Sequence, residues 1–344
     1  MNNGKFFRFT LVISLLGIFA FVLVMPDQAR PETVLKLSTH SPGPGTPRTD
    51  YLVRFKKAVE KRTGGEVKVK IFWANSLVHA KELLEATQVG TVDLADLPVS
   101  YFSDKLRLIQ VASLPFSVSD EVEQRDGLLR VIKKVPQVVK ELERFKHVLL
   151  AVTATSSYQL PSRSPIRNLA DLQGKKVGTF GKTLPKVIQA SGARPVSISG
   201  GEMYEALQRG TIDARALSYE SSKRFKLYEV AKYMSDVNLG MVAGVNLLSI
   251  NQDIWKSLSS ANQKILLEEG KKAGEWEAQA MKDGNAVFKE FLEKKGMKMI
   301  KFSSKDREKW KGHPNIKAIA DQWVASMEKK GLPGKRVLSI FLGK

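Results

Sequence analysis

The chain carries one stretch of sequence twice. "ELLEATQVGTVDLADL" runs from Glu82 to Leu97, and "EMYEALQRGTIDARAL" runs from Glu202 to Leu217. In each copy a helical pattern ends at a glycine, Gly90 or Gly210, where a left-handed cap needs no Cβ. The shared Thr and Asp then lead into an apolar stretch that is typical of a buried strand. A helix followed directly by a buried strand, found twice, predicts two related α/β units.

Strand and helix patterns alternate around both copies. Strand patterns at 33–39 and 66–73 flank a helical pattern at 49–65 in the first unit. "HVLLAVTA" at 147–154 is interpreted as the first strand of the second unit, followed by strands at 175–180 and 194–199. This alternation predicts an α/β fold with two mainly parallel sheets flanked by helices. Ligands bind beyond the carboxyl ends of such strands, so the divergent ends "LADLPVS" and "ARALSYE" should face one cleft.

A helical pattern at 257–296 is longer than one unit and predicts a helix that spans both. Ser259 or Ser260 is the expected N-cap. Gly274 and Gly284 are expected to weaken this helix. Short helical patterns follow from Lys301 to the end.

The first 29 residues have the pattern of an export signal. Lys5 and Arg8 precede the apolar run "TLVISLLGIFAFVLVM", and Ala29 offers a small residue for cleavage. We predict cleavage near Ala29 and a periplasmic protein, with an uncleaved membrane anchor as the alternative.

Composition excludes several kinds of site. The chain has no cysteine, which removes thiol nucleophiles and thiolate metal ligands. The formal net charge is +20, but Lys and Arg are mixed with acidic residues and form no basic stripe with aromatics. This distribution favours a solvated basic surface over a nucleic-acid interface.

Few residues suggest a catalytic or ligand-binding role. "GTFGKT" at 178–183 lacks the first glycine of a phosphate loop but could offer backbone N–H groups to an anion. Of the four histidines, His40 stands out because it ends the first strand at the predicted cleft, and "SSYQ" at 156–159 is placed similarly. We find no catalytic set and no metal-ligand spacing, and we predict no cofactor.

Four motifs, in order, resemble those of the DctP-type substrate-binding proteins of tripartite ATP-independent periplasmic (TRAP) transporters. They are "NSLVHAKELLEATQVGTVDLA", "SPIRNLADLQGKKV", "GGEMYEALQRGTID" and "LYEVAKYMS", and the resemblance runs from about Leu35 to Gly296. It implies a two-lobe periplasmic-binding-protein fold that closes by a hinge motion over a small ligand, usually an organic acid. It also implies delivery to a membrane permease, without catalysis.

The resemblance also gives expected domain boundaries and partners. The expected segments are a signal peptide at 1–29, lobe I at 30–155 and 244–283, lobe II at 156–243 and 284–300, and a helical tail at 301–344. The protein is expected to be a monomer that contacts a permease and no nucleic acid. An exported sensory protein is the first alternative function, and an exported enzyme using the anion loop is the second.

The chain departs from the family at the positions that bind the ligand in other members. An arginine that holds the ligand carboxylate in the family is Gly178 here, and a second is Tyr158. A bulky aromatic of some members is Gly200, so we expect a roomier, less cationic pocket. Either the ligand has no exposed carboxylate there, or Arg215, Lys182, His40 and backbone N–H groups replace the clamp. We expect a moderately large, aromatic or partly apolar acid, and a short-chain acid held by Arg215 is the alternative. The predicted ligand-binding residues are His40, Leu97, Pro98, Tyr158, Gly178, Phe180, Gly200, Arg215, Leu217 and Ser218.

Overall fold

A computed structural model describes residue 1, residues 32–118 and residues 120–344. The predicted signal segment and its cleavage point lie outside these residues, apart from Met1. The fold described below is that of the unit Glu32–Lys344. Its strands are β1 (Thr33–Ser38), β2 (Val67–Phe72), β3 (Leu94–Pro98), β4 (His147–Val152), β5 (Leu160–Ser162), β6 (Lys176–Thr179), β7 (Arg194–Ser197), β8 (Ala214–Arg215), β9 (Tyr233–Asp236), β10 (Asn246–Asn251) and β11 (Lys298–Lys301).

Helices surround these strands. In the described part of the chain, no helix is both long enough and apolar enough to cross a membrane. The helices are α1 (Pro47–Arg62), α2 (Leu83–Gln88), α3 (Glu121–Lys134), α4 (Pro136–Glu143), α5 (Leu169–Leu172), α6 (Thr183–Gln189), α7 (Met203–Gln208), α8 (Tyr219–Arg224), α9 (Gln252–Ser257), α10 (Ser260–Lys294), α11 (Ser304–Lys311), α12 (Pro314–Glu328) and α13 (Gly334–Phe341).

The strands form two sheets of matching layout. Sheet I has the order β2-β1-β3-β10-β4, and sheet II has the order β11-β9-β5-β8-β6-β7. In sheet I, β10 is antiparallel to both of its neighbours, and in sheet II the same is true of β5. The remaining pairs are parallel. Both sheets are thus mixed, and in each of them all strands but one run in the same direction. The predicted α/β fold with two sheets flanked by helices is confirmed.

The repeated sequence occupies the same place in both sheets. Gly90 and Gly210 end α2 and α7 with φ angles of 80° and 75°. Asp93 Oδ2 accepts from the backbone N–H of Lys36, and Asp213 Oδ2 accepts from that of Lys176, each at 2.8 Å. The shared Asp therefore fixes β3 against β1 in one copy and β8 against β6 in the other. The common residues build the scaffold, as the sequence indicated.

Two extended crossover segments connect the sheets, in addition to the helical connection through α10 from β10 to β11. One runs at 153–159 from β4 to β5, and the other runs at 237–245 from β9 to β10. They pair through Tyr158, whose N–H donates to Gly240 O at 3.0 Å and whose carbonyl accepts from Leu239 N at 2.9 Å. The stretch 147–154 was expected to open the second unit, but β4 lies in sheet I. Its pairing with the reversed strand β10 explains the error, because that partner comes from much later in the chain.

The long helix α10 is continuous from Ser260 to Lys294, and Ser259 caps it by accepting from Asn262 N at 3.2 Å. It packs against α1 and β4 on the first lobe and against α8 on the second. Gly274 does not interrupt it. A Cβ at this position would lie 2.6 Å from Val152 O, so the glycine lets the helix approach β4.

The C-terminal helices touch both lobes. The indole N–H of Trp310 donates to Val187 O at 2.8 Å, and that of Trp323 donates to Arg107 O at 3.3 Å. The strands of sheet I lie within 33–152 and 246–251, and those of sheet II lie within 160–236 and 298–301. The finer domain boundaries stay a prediction.

Candidate functional site

A cavity of about 60 Å³ lies between the two sheets, where the two sequence copies diverge. Pro98 borders it from the end of β3, and Arg215, Leu217 and Ser218 border it from β8 and the residues after it. The lining residues are His40, Arg48, Pro98, Ser100, Tyr101, Thr155, Ser156, Tyr158, Phe180, Gly200, Met203, Arg215, Leu217, Ser218, Glu220, Ser221, Arg224, Phe225, Ala243, Asn246 and Met281.

Two predicted residues are not among these. Leu97 is fully buried in the core and pairs with Leu247 of β10, because alternate residues of a strand face opposite sides of the sheet. Gly178 lies behind Arg215. The other predicted residues border the cavity, and their contact with a ligand stays a prediction.

Gly178 provides the space that Arg215 occupies. The two residues are direct partners in the parallel pair β6–β8. A Cβ at position 178 would lie 3.0 Å from Arg215 Cδ and 3.2 Å from its Nη1. The absence of a side chain on one strand therefore lets the arginine of the next strand lie across it. The room expected from Gly178 is filled by a guanidinium.

Arg215 is a buried, positively charged residue with no carboxylate partner among the described residues. Its side chain is 1% exposed, and none of the salt bridges in the described chain includes it. Nη1 donates to Thr179 O at 3.1 Å, the guanidinium lies 5.0 Å from the Phe180 ring centroid, and Nε has no partner among the described residues. Burial lowers the pKa of Arg215, although a guanidinium remains protonated. Such a group can hold an anion in a charge-assisted hydrogen bond.

Two further arginines border the cavity, and both are paired. Arg48 Nη1 donates to Glu277 Oε1 at 3.2 Å and also contacts the Thr153 hydroxyl. Arg224 Nε donates to Glu220 Oε1 at 2.9 Å. The prediction of a less cationic pocket overlooked both residues. Burial raises the pKa of Glu277 to about 7, but Arg48 also interacts with the charged carboxylate of Asp96, so both arginines have a carboxylate partner.

Aromatic rings fill much of the cleft. The ring centroids of Phe180 and Tyr101 are 5.6 Å apart, those of Tyr101 and His40 are 6.5 Å apart, and those of His40 and Phe225 are 6.4 Å apart. A Cβ at Gly200 would lie 3.4 Å from His40 Cδ2 and 3.7 Å from Phe225 Cζ. Rings from elsewhere in the chain thus take the room expected at Gly200. The pocket is compact, contrary to the sequence prediction of a roomy one.

Uncharged polar groups also face the cavity. His40 Nδ1 and Ser156 Oγ are buried and have no hydrogen-bond partner within the described residues. Burial, assisted by Arg224 and Arg48, lowers the pKa of His40 to about 4 against the opposing effect of Asp96 and Glu220. His40 is therefore neutral near pH 7 and can offer one donor and one acceptor.

Asp96 is a buried carboxylate close to His40. It accepts hydrogen bonds at 2.8 Å from Thr39, Tyr51 and Asn246. Burial alone would raise the pKa of Asp96, but Arg48 and these hydrogen bonds lower it, so the carboxylate is charged.

Polar contacts hold the lobes together across the cleft. Thr46 Oγ1 donates to Glu220 Oε1 at 2.5 Å, and Arg224 Nη1 donates to Ser41 Oγ at 3.1 Å. On the other side, Gly200 N donates to Tyr101 Oη at 3.1 Å. The lobes are closed over the cavity.

The remaining sequence candidates lie elsewhere. Lys182 of the "GTFGKT" loop is exposed and pairs with Asp104, so it does not reach the cavity. His147 is buried with both ring nitrogens bonded, to Ser249 and Leu84 O. Within the described chain, no group of His, Asp and Glu could hold a metal ion.

A cleft between two α/β lobes that close over a small cavity is the arrangement of a protein that binds a small ligand. The model of the bacterial extracellular solute-binding protein family 7, DctP, matches residues 38–326, and the chain belongs to this family. The predicted family, the two-lobe α/β fold and the general role of a solute-binding protein are confirmed. The family is one of solute-binding receptors.

Individual relatives are distant in sequence. A solute-binding protein of Albidiferax ferrireducens is 25% identical over 309 residues, which cover 88% of this chain and 90% of the relative. The Bordetella pertussis receptor DctP6, which binds pyroglutamic acid, has 23% identity and a TM-score of 0.80, covering 91% of this chain and 100% of that one. A marine metagenome TRAP protein in complex with 3-hydroxybenzoate has 21% identity and a TM-score of 0.81, covering 91% and 98%.

Proposed function

We propose that this protein captures a small organic acid between its lobes and delivers it to a TRAP permease, without chemical change and as a monomer. The ligand carboxylate binds Arg215, and the rings of Tyr101, Tyr158 and Phe180 cover its apolar part. Hinge motion at the two crossover segments opens and closes the site.

The observation that carries this proposal is the buried guanidinium of Arg215, which borders the cavity and has no carboxylate partner among the described residues. A buried charge without a partner is costly, and a ligand carboxylate would compensate it. The solved relatives with bound pyroglutamic acid and 3-hydroxybenzoate support a small, ring-containing acid. The cavity of about 60 Å³ is smaller than the roughly 150 Å³ of a cavity that binds benzene, so a ring-containing acid requires the lobes or the surrounding rings to move apart.

Thermal-shift measurements with the mature protein test the proposal. A ligand that binds only the folded state stabilises it by mass action, by about 2.7 kcal/mol at one hundred times its Kd. This stabilisation raises the melting temperature. We expect single-ring acids such as benzoate and 3-hydroxybenzoate to do so more than succinate. Arg215→Gln should abolish the shift, whereas Arg209→Gln, at an exposed surface pair, should not. Absence of a shift with every acid, in folded protein, would contradict the proposal.

Export with cleavage near Ala29 belongs to the same proposal. The basic start, the apolar run and the family's extracellular location support it. Intact-mass analysis of the periplasmic protein checks it, and a mass that retains residues 1–29 would rule cleavage out.

A further inference from the structure

We propose that the cavity selects a monocarboxylate with a second, uncharged hydrogen-bonding group, and that it discriminates against dicarboxylates. This inference rests on the proposed function and names the class of acid. It follows from which polar groups around the cavity are paired and which are not.

The first step concerns positive charge. Arg48, Arg215 and Arg224 border the cavity. Arg48 is bound by Glu277 and Arg224 by Glu220, and both carboxylates are at most 1% exposed. Arg215 alone of these three has no carboxylate partner within the described residues. One unpaired cation matches one ligand carboxylate.

The second step concerns the opposite wall. Successive contacts lead from Arg215 through Phe180 and Tyr101 to His40, at 5.0, 5.6 and 6.5 Å. Arg215 comes from β8 on sheet II, whereas His40 follows β1 on sheet I. A ligand that binds Arg215 and extends along the rings therefore presents its other end to the first lobe.

The third step concerns what that other end can be. His40 Nδ1 and Ser156 Oγ are buried polar atoms without partners among the described residues, and such atoms cost free energy unless a hydrogen bond satisfies them. A neutral imidazole and a hydroxyl can each donate or accept. A ligand hydroxyl, carbonyl or amide would satisfy them.

The fourth step excludes a second carboxylate there. His40 is neutral at pH 7 and supplies no charge. The charged groups that act on it include the buried carboxylates of Asp96 and Glu220. Arg48 and Arg224 also lie nearby, but their hydrogen bonds are directed to Glu277, Glu220 and hydroxyls. A second ligand carboxylate would be desolvated without an unpaired cation and repelled by like charges.

Two matched series of acids test this by isothermal titration calorimetry on the mature protein at pH 7.5. One is benzoate, 3-hydroxybenzoate and isophthalate, and the other is butyrate, 4-hydroxybutyrate and succinate. In the series that binds more tightly, we expect the hydroxy acid to bind about fivefold tighter than the unsubstituted acid and about tenfold tighter than the diacid, as for one buried hydrogen bond. A diacid that binds as tightly as the hydroxy acid overturns this inference alone. If none of the six acids binds folded protein, both this inference and the proposed function are contradicted.

Variants assign the preference to named groups. His40→Phe keeps the ring and removes both nitrogens, and Ser156→Ala removes the hydroxyl. Each should reduce the preference for the hydroxy acid to less than about twofold. His79→Phe, at an exposed histidine, is the matched control and should retain it. If the preference survives Ser156→Ala and every folded His40 variant, the assignment of the uncharged end of the ligand to His40 and Ser156 is wrong.

Glu220→Gln tests the charge argument. It leaves Arg224 without its carboxylate, so the affinity for the diacid relative to the hydroxy acid should rise by about fivefold or more. This ratio is insensitive to a general effect on lobe closure, because closure affects both ligands. Glu205→Gln, at an exposed pair with Arg209, should leave the ratio unchanged. An unchanged ratio in Glu220→Gln overturns the charge argument.

Discussion

Thr46 and Glu220 meet across the cleft, with Thr46 Oγ1 donating to Glu220 Oε1 at 2.5 Å. Thr46 precedes α1 on the first lobe, and Glu220 lies in α8 on the second. Glu220 also accepts from Arg224, which in turn donates to Ser41 on the first lobe. Closure of the lobes therefore makes charge-assisted hydrogen bonds that require no ligand atom.

Thr46→Val should weaken ligand binding without touching the ligand. The loss of one hydrogen bond to a buried carboxylate costs about 1.5–3 kcal/mol, and this cost falls on the closed state. We expect an increase in Kd of tenfold or more, mainly through faster dissociation, together with a larger radius of gyration in small-angle scattering. Thr211→Val, at an exposed threonine, is the control. An unchanged Kd would show that this contact does not stabilise closure.

Gly178→Ala should disturb the arginine beside it. The new Cβ would lie 2.8 Å from Ile212 Cδ1 and 3.0 Å from Arg215 Cδ, closer than packed carbon atoms allow. Overpacking of this kind costs about 1–3 kcal/mol, and displacement of the guanidinium should also weaken acid binding. Chemical denaturation and calorimetry measure the two effects. Gly201→Ala, whose Cβ would meet only Asn75 Nδ2 at 3.4 Å, should show neither effect.

Gly274→Ala should destabilise the fold although alanine favours helices. Its Cβ would lie 2.6 Å from the backbone carbonyl oxygen of Val152, which cannot move as a side chain can. We expect a loss of about 2 kcal/mol or more in the free energy of unfolding. Gly284→Ala on the same helix meets the Phe288 ring instead and should cost less. Equal costs for the two variants would contradict the proposed close contact between helix and sheet.

His40 should make stability depend on pH. Its pKa is about 4 in the folded protein, against 6.5 for the ordinary side chain. As the pH falls from 6.5 to 4, the unfolded chain binds a proton that the folded chain does not, so stability is lost over this window. The loss is at most about 3.4 kcal/mol. His40→Phe should reduce this slope in urea denaturation at several pH values, and His79→Phe should not. A slope that is unchanged in His40→Phe would mean that His40 titrates normally.

The scaffold could be predicted from the sequence because local rules determine it. The glycine caps and the Asp of each repeat act on neighbouring backbone, and they appear as a repeated pattern in the chain. Residues at the ends of β3 and β8 could be assigned to the cleft for the same reason. The local strand pattern alone could not assign β4 to sheet I, since its partner β10 returns from much later in the sequence.

The polar partners of the site were harder to predict. Arg48 pairs with Glu277 on the distant helix α10, and no local pattern links them. Arg224 could have been found, because it follows Glu220 at helical i,i+4 spacing within "YESSKR". Gly178 was interpreted as the loss of an arginine, whereas register across β6 and β8 shows that Arg215 fills the position from the side.

The late position of β10 and β11 in the chain has a consequence for how this chain can be divided. β10 completes sheet I only after the chain has passed through most of sheet II, and β11 joins sheet II only after α10 has returned. No single cut in the gene separates the lobes into two self-sufficient pieces. A fragment ending after β4 would expose the unpaired edge of β3, where another chain can pair and cause aggregation. Recombining lobes from different relatives would therefore need at least three matched junctions, so new ligand preferences should arise more readily by point substitution around the cavity than by exchange of whole lobes.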